Sequence, residues 1–156
     1  MVKKSFRVEI FFYFTLIFIA FSAAILTFQY QREKSYRISQ LENTLDNITE
    51  ITQRFIDQNN LLRRDRIDRI DELQNIIPQP NTRITVIDRD GEVLYDSFVE
   101  EYEMMDNHLS RPEIQTALQE KVGSNIRRSE TTKQEYYYYA KRYPDYFLRT
   151  AVVYNV

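Results

Sequence analysis

The chain has no cysteine, no tryptophan, a single histidine, two glycines and four prolines in 156 residues. Without cysteine there is no disulfide, no thiolate nucleophile and no thiolate metal site. Loops that cradle phosphate need several closely spaced glycines, whereas Gly91 and Gly123 stand alone, which excludes a nucleotide-binding loop. The net charge of -2 argues against the clustered basic face that DNA or RNA requires, so no nucleic-acid partner is expected. One histidine and no nucleophile motif leave no catalytic centre in this chain, and Glu100, Glu101 and Glu103 read as loop solvation. The spacing at Asp88-Arg89-Asp90 lacks the glycine and glutamate of a calcium loop. Neither a metal nor a cofactor is expected.

What the chain does have is an uncharged apolar run from Ile10 to Phe28. At about 1.5 Å per residue such a helix covers the roughly 30 Å hydrocarbon core of a bilayer. Lys3, Lys4 and Arg7 precede it, and the weaker positive excess after it keeps the N-terminus cytoplasmic by the positive-inside rule. Ser22-Ala23-Ala24 offers a signal-peptidase-like site, but the apolar run continues past it through Phe28, which favours an anchor. The expected organisation is a cytoplasmic N-terminus at 1–9, a transmembrane helix at 10–30, a helical stalk at 31–78 and an extracytoplasmic domain at 79–156.

From Gln31 to Ile77 there is neither glycine nor proline, and Ile38, Leu41, Leu45, Ile48, Thr52 and Phe55 draw one apolar seam at helical spacing. The seam falters at Asn59-Asn60 and resumes at Ile67, Ile70, Leu73 and Ile77, so a break is expected near Asn59, and Pro78 and Pro80 end the helix. The pairs Arg64–Asp68 and Asp65–Arg69 fall four apart, as on a solvated helix face. Two covers for the seam are open: the sheet that follows, or the same helix in a second copy through Ile38, Leu41, Leu45, Ile48 and Phe55.

Arg83–Asp88 and Glu92–Ser97 read as a β-hairpin around Gly91. Ser110-Arg-Pro-Glu113 has the spacing of a capping box opening a helix over 111–122, with Gly123 as its left-handed terminator. Three strands follow at 124–131, 134–141 and 147–154, and alternation divides Tyr136 and Tyr138 from Tyr137 and Tyr139. The fold class is α+β: a transmembrane helix and a stalk helix packed on a five-stranded antiparallel PAS-like sheet.

The stretch Met105-Asp-Asn-His108-Leu-Ser-Arg-Pro-Glu-Ile114, then Gly123, Arg127-Arg-Ser129-Glu-Thr131 and Tyr139-Ala-Lys141, resembles the extracytoplasmic single-Cache or PAS-like sensor region of phosphate-regulon and cell-wall-type sensor histidine kinases. The resemblance implies a second membrane helix and a cytoplasmic kinase beyond Val156, so the chain is expected to be a fragment whose response regulator acts only through that missing kinase. It also implies a homodimer at the membrane that receives an unknown small-molecule or protein signal. A chemoreceptor or a cyclic-nucleotide synthase shares the same input architecture, and a membrane-tethered scaffold is the rival of a different class.

The candidate ligand-binding residues are His108, Arg111, Arg127, Ser129 and Thr131, read as donors to a carboxylate or phosphate in a pocket between sheet and short helix. The plainer reading gives His108 a loop hydrogen bond, Glu113 the capping-box acceptor and the tyrosines a place in the sheet. Carboxylates paired to His108 and Arg127 inside a filled core favour a scaffold; an open pocket with unpaired donors favours a sensor.

Overall fold

The computed structural model describes residues 6–63, 66–74, 76–77, 81–130 and 132–154, so Arg64, Asp65, Pro78, Pro80 and Thr131 lie outside the described residues. The chain is α+β, with a long helix α1 (Phe6–Asn59), short helices α2 (Asp71–Gln74) and α3 (Pro112–Glu120), and one five-stranded antiparallel sheet. It divides into two units, Met1–Gln40 and Leu41–Val156.

In the first unit the residues from Ile10 to Phe28 are helical, and Phe11, Phe14, Ile17 and Phe21 are exposed. Thr15 and Thr27 turn their hydroxyls back onto the carbonyls of Phe11 and Ala23, both at 2.8 Å, so neither leaves a polar group unsatisfied along the helix. Among the described residues α1 alone is long and apolar enough to cross a membrane.

In the second unit the strands are β1 (Arg83–Asp88), β2 (Val93–Asp96), β3 (Val122–Arg128), β4 (Glu135–Arg142) and β5 (Tyr146–Val153), in the order β2-β1-β5-β4-β3. One sheet face packs on α1. Leu45, Ile48, Thr49, Thr52 and Ile56 are buried there, and the Thr49 and Thr150 hydroxyls meet at 3.0 Å. Two of the proposed seam positions, Leu45 and Ile48, are therefore covered within the chain, while Ile38, Leu41 and Phe55 stay half-buried.

Helix α1 stops at Asn59. Asn60 takes a left-handed φ of 51°, Leu61 N donates to Ile56 O at 3.0 Å and Asn60 N to Asp57 O at 3.3 Å. This is a Schellman closure with asparagine in the place glycine usually holds, and buried Leu61 joins Ile56 in the core beneath it. Beyond it the chain does not resume as one helix, as the seam at 67–77 suggests; a 3-10 turn at Ile67–Ile70 leads into the single turn α2. Ile67, Ile70, Leu73 and Ile77 instead seal the core over Ile84, Val86 and Leu148.

The opposite face carries α3. Across it runs one row of paired residues: Asp96 opposite Thr85, Thr85 opposite Arg149, Arg149 opposite Ala140, and Ala140 opposite Gly123. The small end of that row lets α3 lie close, because a Cβ on Gly123 would fall 2.1 Å from Glu113 O and 2.8 Å from Ala117 N. Gly123 thus serves as a close-approach residue inside β3, not as the terminator of α3; Lys121, at φ 71°, has that role. Gly123→Ala forces backbone against backbone, and we expect it to cost about 1–3 kcal/mol or more, read as a lowered urea midpoint of the full chain.

Candidate functional site

The loop before α3 is fixed by the β1–β2 turn. Gly91, at φ 91°, accepts His108 N at 2.7 Å, and Asn107 Nδ2 donates to Asp90 O at 2.7 Å and to Glu92 at 3.0 Å. With Asn107 pinned, His108 turns inward and is 3 % exposed. Its Nδ1 lies 2.6 Å from Asp106 O, a pure acceptor, so Nδ1 carries the proton and Nε2 keeps its lone pair. Burial, reinforced by the charge of Arg149, pushes His108 down to about 4 against the opposing Asp106 carbonyl, which leaves the ring neutral at physiological pH.

The capping box does not form. The N-cap of α3 is Arg111, no side chain caps it, and Glu113 points into the sheet, where it is fully buried. Glu113 accepts Arg127 Nη2 at 2.9 Å and Arg149 Nη1 at 3.3 Å. Burial works to raise its pKa, but the Arg127 hydrogen bonds and the charges of Arg149 and Arg127 outweigh it and hold the carboxyl below its usual range. Two bonds to cations, one of them buried, therefore win over one reaching back to a solvated cap.

A second buried carboxylate, Asp96, receives Arg83 Nε at 2.9 and 3.0 Å and the Thr85 hydroxyl at 2.8 Å. The Arg149 guanidinium reaches Thr85 at 3.1 Å and lies 5.0 Å from the centre of the Tyr138 ring, over which Arg127 also sits at 4.0 Å. Burial lowers Arg149 to about 10, with Glu113 opposing, so it stays charged at neutral pH.

These groups wall a cavity of about 230 Å³ between the sheet, the start of α3 and the 104–108 loop. His108, Arg111, Arg127 and Ser129 all line it, together with Arg83, Arg149 and Tyr138. Ser129 lies just past the end of β3, where its hydroxyl accepts Thr132 N at 3.2 Å, a turn bond that also fixes the rim. The carboxylates of Asp96 and Glu113 are taken while donors remain: Arg83 Nη2, Arg149 Nε and Arg111 Nε are buried without a partner. Buried Arg83 and Arg149 and half-buried Arg127 face the two buried carboxylates, while Arg111 is paired with the exposed Glu130 and Asp106 adds a further carboxylate to the lining. Such a site is built to receive an acceptor of negative charge.

The residues missed by sequence reasoning are Arg83, Arg149, Asp96 and Glu113. For Arg83, Asp96 and Arg149 the signal was a charged residue within a strand run, since an arginine at a core position is retained only with a partner, whereas Glu113 in α3 gave only its capping-box spacing.

A sheet with helices on both faces and a polar cavity under the shorter helix is an α+β architecture of the single-Cache or PAS-like kind. The single Cache-like family matches residues 35–145, and the chain belongs to it. Searches of curated proteins and of solved structures found no match.

The linkage of His108 has a definite sign. A base whose pKa falls on folding withholds protons from the native state, so its contribution is full above the unfolded value near 6.5 and is lost as pH falls toward about 4. His108→Gln is expected to flatten the pH dependence of the urea midpoint between pH 6.5 and 4, leaving only the slope due to carboxylates.

Proposed function

We propose that this chain is the signal-input region of a single-pass membrane sensor histidine kinase, whose extracytoplasmic Cache-like domain recognises a small anion. The observation that carries the reading is the surplus of buried, unpartnered guanidinium N–H groups around an open cavity. The apolar stretch from Ile10 to Phe28 acts as anchor, and Lys3, Lys4 and Arg7 before it support a cytoplasmic N-terminus. The kinase output rests on the resemblance of the Asn107–Glu113 and Arg127–Thr131 motifs to those sensors. In this reading a second copy pairs along Ile38, Leu41 and Phe55, the seam positions that stay half-buried.

One feature favours the scaffold reading: Arg127 is already paired with Glu113. His108 makes the plain loop hydrogen bond, with no carboxylate, and the unpaired donors of Arg83 and Arg149 weigh for a ligand.

The test is thermal unfolding of the full chain in detergent micelles with small carboxylates, inorganic phosphate, amino acids and divalent cations. A ligand that binds only the native state stabilises it, by about 2.7 kcal/mol at a hundred times its Kd. We expect stabilisation by an anion and its loss in Arg127→Ala, each measured against that protein's own unliganded midpoint. No shift across the panel would instead assign the domain to a protein partner.

A further inference from the structure

Glu130 lines the cavity and differs from the two carboxylates that hold the inner arginines. Asp96 and Glu113 have no exposed side-chain surface, whereas Glu130 is 67 % exposed and sits in the β3–β4 connection at the rim. Its two oxygens are gripped by the fork of Arg111, with Nη1 at 3.2 Å and Nη2 at 2.8 Å, the bidentate geometry in which arginine takes a free carboxylate or phosphate.

The two partners are held very unequally. Arg111 is the N-cap of α3; its amide donates to His108 O at 3.0 Å and its carbonyl accepts Ile114 N and Gln115 N. Glu130 can swing into water with no element moved. Its departure leaves Arg111 without its bidentate partner, and an exposed ion pair is cheap to break.

We propose that Glu130 is an internal stand-in for the ligand: it fills an outer anion subsite at Arg111 in the empty domain and is displaced when a small carboxylate or phosphate binds. The proposal rests on the anion-sensing reading above and adds a built-in competitor that sets its threshold.

The experiment measures binding of acetate and of inorganic phosphate, separately and at constant ionic strength, to the full chain in micelles. Four proteins are compared: wild type, Glu130→Gln, Arg111→Gln and the double variant. Removing the competitor is expected to tighten the bound probe about two- to fivefold. Arg111→Gln is expected to weaken it, and Glu130→Gln to bring no gain in the Arg111→Gln background. Equal or weaker binding by Glu130→Gln overturns the proposal. So does the same gain with or without Arg111, which marks a general charge effect. Those outcomes leave the anion site standing, whereas binding of neither probe by any of the four proteins removes the site and the competitor together. Which probe responds separates carboxylate from phosphate chemistry.

Discussion

Two carboxylates withdrawn from water, Asp96 and Glu113, hold the α3 side of the domain together. A buried ion costs several kcal/mol of desolvation, and loss of one partner from such a pair is worth about 3–5 kcal/mol. Each therefore dictates its surroundings. Glu113 must come within reach of Arg149 and Arg127, which brings the first turn of α3 down onto the sheet and requires the bare backbone of Gly123 beneath it. Asp96 must meet Arg83 and Thr85, which ties the edge strand β2 to the row that Arg149 continues. The cavity is what remains once these demands are met.

The other sheet face follows a different rule. Glu42, Asp46 and Glu50 lie four apart on α1 and meet Tyr137, Tyr139 and Lys141, which lie two apart on β4. Four helical residues advance about 6 Å and two strand residues about 6.6 Å, so the two series stay in step for three rungs. Lys141 bridges the last two, at 3.0 Å from Asp46 and 2.6 Å from Glu50. Burial acts to raise Asp46, but the bonds from Tyr139 and Lys141 and the charge of Lys141 keep it ionised below its usual range. The helix is thus clamped to β4 by charge-assisted bonds as well as by Leu45 and Ile48.

What was legible in the sequence follows from the range of the interactions. Local periodicity places the hairpin, α3 and the last three strands within a few residues, and the asparagines at 59 and 60 mark the true end of α1. The apolar seam at 67–77 misleads because a 3-10 turn and a single helical turn bury the same residues as a regular helix would. Ser110 and Glu113 also mislead: the capping box is a local pattern, and the competing partners of Glu113 lie 14 and 36 residues away. Motif resemblance brings His108, Arg111, Arg127 and Ser129 forward, but Arg83 and Arg149 become visible only through strand register, which sets Thr85 opposite Arg149.

The two faces meet in β4. Tyr138 carries Arg127 and Arg149 over its ring on the cavity side, while its neighbours Tyr137 and Tyr139 hold α1 on the other. In the proposed sensor a bound anion acts on the helix only by its difference in affinity for two arrangements of this strand. Taking a two-state equilibrium from 1:99 to 99:1 needs about 5.5 kcal/mol of such difference. The exposed Arg111–Glu130 contact cannot supply it. The inner donors are of the right size, since a buried unsatisfied polar group costs about 1–3 kcal/mol, and Arg83 Nη2, Arg149 Nε and Arg111 Nε make three. In that sensor the discriminating energy lies on β1, β5 and the N-cap of α3, which carry Arg83, Arg149 and Arg111, and β5 pairs with β4 along the length that grips the helix.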